Sequence, residues 1–210
     1  KGNASNGYYL RLNSNGTVSL GTNGLNRITS TAVIPAGKWS HVAGSYDVSS
    51  NGYKLFVNGL EDASIINIIN SAPNTNTDSL FIGKFGANTF TGLMDEVRIW
   101  TKPVVPFMIR KSFRTSLSLS SGQYVSLLFS MPFQRINSSG TSFTIQDLSL
   151  NPISVNPTYS RGVTAVDLSG RPSDYLSGNE SLSFEGNNDS YAEIATNTLN
   201  SLTGAMTIEA

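Results

Sequence analysis

Two pairs of adjacent carboxylates, Asp95-Glu96 and Glu61-Asp62, come closest to a catalytic arrangement in this 210-residue chain. Hydrolysis of a glycosidic bond needs two carboxyl groups that face each other across a cleft. Neighbouring residues of a β-strand point to opposite faces of the sheet, so neither pair meets this requirement. The chain also contains no Glu-x-Asp-x-Glu run, which would place carboxylates on one face. We therefore expect no enzymatic activity.

The chain has a single histidine, His41, and no cysteine, which narrows the other chemistries. A histidine metal cluster needs more than one His, and disulfides, thiolate metal sites and cysteine nucleophiles need Cys. No glycine-rich run has the pattern of a phosphate-binding loop. We expect His41 to be a structural histidine that is hydrogen-bonded by the backbone.

Aromatic residues in or near predicted loops indicate a carbohydrate-binding surface, because a ring packs well against the apolar face of a sugar. The loops 47–53, 73–78 and 86–91 contain Asn, Ser and Thr, whose side chains hydrogen-bond hydroxyl groups. These loops are the predicted rim of the ligand site. The residues predicted to contact a ligand are Tyr53, Asn88 and Phe90.

Charge and hydropathy exclude two classes of partner. The chain has 14 Lys and Arg against 14 Asp and Glu, with no basic cluster. Nucleic acid and anionic lipid are bound mainly through clustered positive charge, so we expect neither as a partner. No apolar run approaches the roughly 20 residues that a helix needs to cross a bilayer, so membrane insertion is not expected.

Short runs of alternating apolar and polar residues predict an antiparallel all-β fold. In one predicted hairpin, residues 53–57 and 60–64 flank Asn58-Gly59, a pair that tolerates positive φ. Residues 94–100 are predicted to form one continuous strand. Only residues 106–113 have helical spacing, and this stretch is too short to be stable alone. The strand spacing favours a sandwich of two sheets with at most one short helix.

Several segments resemble laminin G-like domains, which have the concanavalin A-like jelly-roll fold. In the early part of the chain they are GKWSHVA (37–43), YD (46–47), GYKLFVNG (52–59), FIG (81–83) and FTGLMDEVRIW (90–100). In the late part, SLSFEG (181–186), YAEI (191–194) and LTGAMTIEA (202–210) resemble the opening strands of the same family. The resemblance implies an antiparallel two-sheet jelly-roll sandwich in which Trp39 and Trp100 are both buried.

The order of these motifs is inverted, because the closing motifs precede the opening motifs. Residues 1–116 correspond to the closing part of a laminin G-like jelly roll, and residues 117–210 to a linker and an opening part. Three organisations agree with this order: a window of a tandem array, one permuted sandwich, or strand exchange between identical chains. Each requires the early and late segments to meet a complementary sheet, since half a sandwich exposes strand edges and an apolar face.

The resemblance also implies a calcium site. In the family, an Asp at the position of Asp95 helps to hold Ca²⁺ together with oxygens from the loop that corresponds to residues 185–190. Calcium takes six to eight oxygen ligands, so several side chains and loop carbonyls must contribute. The predicted side-chain ligands are Asp95, Glu185, Asn188 and Asp189.

This loop departs from the family pattern at two positions. Glu185 stands where the family has an Asp, and Ser190 lengthens the spacing before the next strand. The alternative interpretation is that Asp95 caps a turn and that Glu96 is a solvated strand residue.

The resemblance implies a non-catalytic extracellular module, a structural repeat of a large adhesin or filament at the cell surface. The expected partners are a glycan or a cell-surface protein, together with neighbouring repeats or identical chains. Ligand binding would depend on Ca²⁺ if the predicted site forms. Two alternatives stay open: a carbohydrate-binding domain that accompanies a glycoside hydrolase, and a fibre subunit that self-assembles by strand complementation.

Overall fold

The structure, a computed structural model, describes residues 6–68, 72–114, 126–131, 158–159, 163–167, 180–187, 190–194 and 205–210. These residues form antiparallel strands and one short helix, α1 (Pro106–Ser112), which confirms the predicted all-β class. No helix in the described ranges is long and apolar enough to cross a membrane. The strands are β1 (Tyr8–Leu12), β2 (Thr17–Thr22), β3 (Leu25–Val33), β4 (Val42–Asp47), β5 (Gly52–Val57), β6 (Leu60–Ile65), β7 (Leu80–Ile82), β8 (Lys84–Phe85), β9 (Asn88–Thr89), β10 (Thr91–Met94), β11 (Val97–Trp100), β12 (Leu127–Met131), β13 (Thr158–Tyr159), β14 (Val163–Asp167), β15 (Glu180–Glu185), β16 (Ala192–Ile194) and β17 (Ala205–Glu209).

The largest sheet has six strands in the order β12-β11-β17-β4-β5-β6. Strand β17, from the late part of the chain, lies between β11 and β4 and is antiparallel to both. Its register sets Glu209 opposite Arg98 on one side and Ala43 on the other. Because β17 has a neighbour on each side, neither of its edges is left unpaired.

Smaller sheets form the layer that faces the six-stranded sheet. Their strand orders are β1-β2-β3, β10-β15-β14, β13-β16-β7 and β8-β9. Two of them also combine early and late strands, since β15 pairs with β10 and β16 pairs with β7. The early and late segments thus contribute to one sandwich within a single chain. The predicted boundary between residues 116 and 117 lies outside the described residues and stays a prediction.

A shared apolar core lies between the two layers. Alternate residues of each strand point into it, as the two-residue repeat of a β-strand requires. Both segments supply large side chains, so the core includes late-segment residues as integral members. Its largest fully buried side chains are Tyr46, Tyr53, Phe129, Phe184, Leu20, Leu55, Ile99, Met131 and Leu182.

Helix α1 covers part of the outer face of the six-stranded sheet. It begins with Pro106, whose missing N–H is harmless in the first turn of a helix. Ile109 is fully buried and packs with Ala43 and Phe56 from β4 and β5. This small second cluster attaches the helix to the sheet.

The two tryptophans differ in burial. Trp100 on β11 is 4% exposed, as expected, whereas Trp39 is 36% exposed. The prediction that both are buried is therefore wrong for Trp39. Trp39 lies three residues before the first residue of β4, outside the described strands.

The chain crosses from one layer to the other at Asp95-Glu96. Strand β10 belongs to a small sheet and β11 to the six-stranded sheet. Glu96 has a φ of 54°, and its backbone N–H donates a hydrogen bond to Oδ1 of Asp95 at 2.8 Å. The predicted continuous strand over residues 94–100 is therefore wrong, because this left-handed residue divides it in two.

Replacing Phe184 with Ala should lower the free energy of unfolding by about 3–5 kcal/mol, because a fully buried ring leaves a cavity. Leu93→Ala is the matched control, since Leu93 lies on the neighbouring strand and is 40% exposed. The control should change stability by less than about 0.5 kcal/mol. Denaturation followed by fluorescence of the early-segment tryptophans measures both variants. An unchanged midpoint for Phe184→Ala would contradict a core shared by the two segments.

Candidate functional site

Two aromatic rings and a guanidinium group meet on the outer face of the sheet β1-β2-β3. The ring centroids of Tyr9 on β1 and Phe85 on β8 are 4.6 Å apart, with an angle of 56° between the planes. The guanidinium carbon of Arg11 lies 5.4 Å from the Tyr9 centroid and 4.9 Å from the Phe85 centroid, within the range of cation–π contacts. All three side chains are partly exposed. We call these three residues the aromatic platform.

The Tyr9 ring lies across Gly21 on the neighbouring strand. Tyr9 and Gly21 are paired in the sheet, and a Cβ added at Gly21 would overlap Cζ and the hydroxyl oxygen of Tyr9. The lack of a side chain at Gly21 therefore allows the ring to lie against the backbone of β2. The ring is thereby held in place, and its exposed part offers an apolar surface to a sugar.

A row of hydrogen bonds holds Arg11 beside the rings. Nε of Arg11 donates to Oδ1 of Asn13 at 3.1 Å. Nδ2 of Asn13 donates to the hydroxyl oxygens of Thr17 at 2.9 Å and Ser19 at 2.8 Å. The hydroxyl of Ser19 lies 3.0 Å from that of Thr29 on β3, so the row crosses all three strands. Side chains that are already ordered lose less entropy when a ligand binds.

The structure brings one predicted rim residue to the platform and turns a second away from it. Asn88 is exposed and is paired with Phe85 in the hairpin β8-β9, so it lies at the edge of the platform. Phe90 is partly buried and packs edge-to-face against Phe184, with 6.0 Å between the centroids. Asn88 is thus available to a ligand on the platform, whereas Phe90 mainly supports the core.

Tyr53 is not a rim residue, which corrects the sequence prediction. Its side chain is 0% exposed, and its ring packs against Tyr46 with 4.8 Å between the centroids. Its hydroxyl is hydrogen-bonded to that of Thr22 at 2.8 Å. Tyr53 follows a polar turn, which suggested exposure, but it is the second residue of β5 and its side chain points into the core.

A shallow groove beside the start of β1 carries the side chains of a predicted rim loop. Asn23 holds this loop in place, since its Nδ2 donates to the carbonyl of Ala72 at 2.7 Å and its Oδ1 accepts from the N–H of Asn74 at 2.8 Å. Amide and hydroxyl groups of this kind can hydrogen-bond sugar hydroxyls. The groove has a volume of about 360 Å³ and is lined by Asn6, Thr75, Asn76, Thr77 and Asp78.

The two described calcium-ligand candidates are not brought together. Glu185 is paired with Thr91, and Asp95 lies four residues beyond Thr91, or about 13 Å along the strand. Asp95 and Glu185 therefore lie near opposite ends of the β10–β15 pairing. Asn188 and Asp189 lie outside the described residues, and the calcium site stays a prediction. Within the described ranges, no group of three His, Cys, Asp or Glu residues could hold a metal ion.

A second cluster of charged and polar side chains lies on the outer face of the six-stranded sheet, and we call it the buried ionic cluster. It consists of His41, Glu96, Arg98, Trp100 and Glu209. Oε1 of Glu209 accepts a hydrogen bond from Nε1 of Trp100 at 2.7 Å, and Oε2 lies 3.2 Å from Nε2 of His41. Nη1 of Arg98 lies 3.6 Å from Oε1 of Glu209, and Nη2 donates to Oε2 of Glu96 at 2.8 Å. The side chain of Glu96 is 11% exposed, so its interpretation as a solvated residue is wrong.

The charges of this cluster stabilise one another. Burial alone would raise the pKa of Glu209, but the hydrogen bond with His41 and the positive charge of Arg98 hold that pKa below its usual range. Burial would lower the pKa of Arg98, and the charges of Glu209 and Glu96 raise it. Glu209 is therefore ionised and can only accept, so Nε2 of His41 donates to it. Glu209 is only 1% exposed, so its carboxylate cannot contact a substrate. Its hydrogen bonds and ion pairs within the protein indicate that the role of Glu209 is structural.

Sequence analysis identified neither group as a site, although Tyr9 is one of the aromatic residues near predicted loops that could pack against a sugar. A signal for the ionic cluster was present, because Arg98 and Glu209 are charged residues inside otherwise apolar strands, and such residues are rarely buried without a partner. Part of the platform was also visible, since alternation points Tyr9 and Arg11 to the same face of β1. The approach of Phe85 depends on tertiary structure, which no local pattern indicates.

Replacing Glu209 with Gln should destabilise the protein at neutral pH by about 3 kcal/mol, because the buried positive charge of Arg98 keeps only Glu96 as a counter-ion. The folded pKa of Glu209 is depressed, so its contribution is complete above the ordinary value of 4.5 and is lost as pH falls through the lower folded value. The wild type should therefore lose more stability than Glu209→Gln on acidification through this range. Thermal denaturation between about pH 7 and pH 3 measures this difference.

Glu61→Gln is the control for the charge change itself. Glu61 pairs with Lys54 at 2.8 Å on the surface, where an ion pair contributes about 0–1 kcal/mol. This control should remain close to the wild type at every pH. Parallel acid profiles for the wild type and Glu209→Gln would contradict the assigned role of Glu209.

Comparison with protein families agrees with this architecture. The family model for the concanavalin A-like lectin/glucanase superfamily, of laminin G-like type, matches residues 1–109. This match covers more than half of the chain and includes strands β1 to β11 with all three platform residues. Searches of curated proteins and of solved structures gave no match. The chain belongs to the concanavalin A-like lectin/glucanase superfamily.

Proposed function

We propose that this protein is a non-catalytic carbohydrate-binding module of an extracellular adhesin or filament, in which it also acts as a structural repeat. The aromatic platform carries the proposal, because it combines partly exposed aromatic rings with ordered hydrogen-bond donors. A sugar ring would pack on Tyr9, and its hydroxyls would receive hydrogen bonds from Arg11 and Asn88. The superfamily match supports a carbohydrate-binding or structural module at this coarser level.

The lack of catalysis is proposed from what the carboxylates do. Glu96 and Glu209 are buried against Arg98, and Asp95 caps a turn. Asp62 accepts hydrogen bonds from the backbone of Thr31 at 2.6 Å and from that of residue 32 at 3.0 Å. A general acid or base must reach the glycosidic oxygen. These carboxylates instead accept hydrogen bonds from backbone N–H groups or form ion pairs with the guanidinium group of Arg98.

A location outside the cell is proposed from the family and from composition. Laminin G-like domains are commonly extracellular, and the superfamily match brings that expectation to this chain. Only 13% of the residues are charged, and the chain has no cysteine that oxidation could modify. These features agree with display on a cell surface.

Assembly of identical chains by strand complementation is a second candidate, which the position of β17 favours. This strand lies between two early strands, and the side chains that hold Glu209 all come from the early segment. The β17 of another copy would meet the same partners in the same slot. Such an exchange would link chains without any new contact.

Tyr9→Ala should weaken glycan binding about tenfold, because it removes the ring on which the sugar packs. A glycan array identifies binding sugars, and calorimetric titration with the strongest of them measures the affinity. The matched control is Phe107→Ala, which removes an aromatic ring that is 71% exposed on helix α1. Equal affinities of Tyr9→Ala and the wild type would contradict binding at the platform.

The same titration with a calcium chelator separates the platform from the predicted calcium site. The platform includes none of the predicted metal ligands, so chelation should leave the affinity unchanged. Loss of binding upon chelation, with Tyr9→Ala still active, would place the glycan at the calcium site and would contradict the platform as the binding surface.

A further inference from the structure

Strand β17 carries two polar side chains on the outer face of the six-stranded sheet. Thr207 and Glu209 are two residues apart, so they point to the same side of the strand. Both are buried, at 0% and 1% exposure. Buried polar groups are costly unless they are hydrogen-bonded, so their partners decide whether this strand fits. We call the space between β11 and β4 that β17 fills the strand slot.

The hydroxyl of Thr207 is held by three groups. Its Oγ1 accepts a hydrogen bond from the backbone N–H of Val104 at 2.8 Å. The same atom lies 3.1 Å from the carbonyl oxygen of Lys102 and 3.1 Å from the hydroxyl oxygen of Ser45. A valine at this position would have nearly the same shape but would offer the Val104 N–H no acceptor. The segment between β11 and helix α1 therefore recognises one position of the inserted strand.

The carboxylate of Glu209 fits partners that are all donors. Nε1 of Trp100 and Nε2 of His41 donate to its two oxygens, and the buried guanidinium group of Arg98 adds a positive charge. A glutamine at this position would keep one acceptor oxygen, but its NH₂ group could not accept from a second donor. Arg98 would then keep only Glu96 as a counter-ion. The strand slot therefore distinguishes Glu from Gln, although the two side chains have the same size.

The inner face of β17 has the opposite requirement. Met206 and Ile208 alternate with the two polar residues and belong to the apolar core, at 0% and 9% exposure. A shift of one residue would turn the polar side chains into this core and the apolar ones toward the polar partners. The strand slot thus fits a four-residue pattern in one register: apolar, Thr, apolar, Glu.

A second segment of the chain has this pattern with one difference at its last position. Residues 143–146 are FTIQ, and residues 206–209 are MTIE. No other Thr in the sequence is followed two residues later by Glu or Gln. Residues 143–146 lie outside the described residues, and the likeness is one of sequence. Gln146 thus corresponds to Glu209, the position at which the slot distinguishes the two side chains.

We propose that the strand slot is a sequence-selective binding site for β17 of a second copy of this chain, and that Thr207 and Glu209 of the incoming strand are the residues it selects. The inference rests on strand complementation, the second candidate function, and adds what the partner strand must carry. Charge complementarity supports this occupant, because the buried Arg98 is paired with a carboxylate of the strand. A strand ending in Gln would form the same backbone hydrogen bonds but would leave that charge less compensated.

The test uses the full chain with Met206→Ala as host, because loss of this buried side chain weakens the chain's own β17 and keeps its polar residues. A fluorescently labelled peptide of residues 201–210 should bind this host, as measured by fluorescence anisotropy, and should raise its melting temperature. Peptides with Glu209→Gln or Thr207→Val should bind at least about tenfold more weakly.

The chain offers matched controls for the peptide and for the host. A peptide of residues 138–147 contains Gln146 and should bind weakly, and Gln146→Glu should tighten its binding at least about tenfold. In the host, His41→Phe keeps an aromatic ring but removes one donor, so it should narrow the difference between the Glu and Gln peptides. Lys54→Gln removes a charge that is 45% exposed on β5 and should leave this difference unchanged.

The unaltered chain is a second host. Incubation with the labelled peptides just below its melting temperature allows its own β17 to exchange, and the peptides should keep the same order of affinity.

The outcomes separate this inference from strand complementation itself. If the natural and Glu209→Gln peptides bind both hosts equally, the slot accepts any alternating strand, so the inference is overturned and strand complementation stands. If Lys54→Gln narrows the difference as much as His41→Phe does, general charge attraction explains it and the inference is overturned. If no peptide binds either host, strand complementation fails and the inference fails with it.

Discussion

The buried carboxylate of Glu209 is the constraint on which the rest of the structure depends. An ion in a protein interior costs several kcal/mol unless other groups compensate it. Here Trp100, Arg98 and His41 compensate it, and all three belong to the early segment. They reach Glu209 only when β17 lies between β11 and β4 in the observed register, because a shift of one residue would turn this side chain into the core. The cluster therefore specifies both the place and the register of the late strand.

The two outer faces of the sandwich differ in what covers them. The outer face of the six-stranded sheet is occupied by the ionic cluster and by helix α1, whose Ile109 is fully buried. Among the described residues, neither an ionic cluster nor a helix covers the outer face of β1-β2-β3, where Tyr9, Phe85 and Arg11 are partly exposed. The buried ionic cluster thus lies on one side of the molecule and the aromatic platform on the other. The core between them, with late-segment Phe184 and Leu182, holds the two layers together.

Local patterns predicted the strands well and the contacts between distant strands poorly. The turn at Asn58 has the positive φ that the Asn-Gly pair indicates, and it joins two strands as predicted. Tyr53 was misassigned because a polar turn precedes it, whereas its burial depends on packing against the opposite layer. The meeting of Tyr9 and Phe85 joins strands that are far apart in sequence, and alternation describes only which face each residue takes. The partners of Glu209 could not be assigned for the same reason, although a charged residue in an apolar strand was a visible signal.

Disulfide trapping of β17 against β4 tests the central claim most directly. Thr207 is paired with Ser45, and their hydroxyl oxygens are 3.1 Å apart. Because the natural chain has no cysteine, Ser45→Cys together with Thr207→Cys would introduce the only thiols. Paired positions of adjacent strands are close enough for a disulfide. The structure predicts that oxidation under native conditions yields a bond within one chain, seen as a faster-migrating monomer on a non-reducing gel. Covalent dimers and longer oligomers, or thiols that remain reactive in the native protein, would contradict insertion of β17 into the sheet of its own chain.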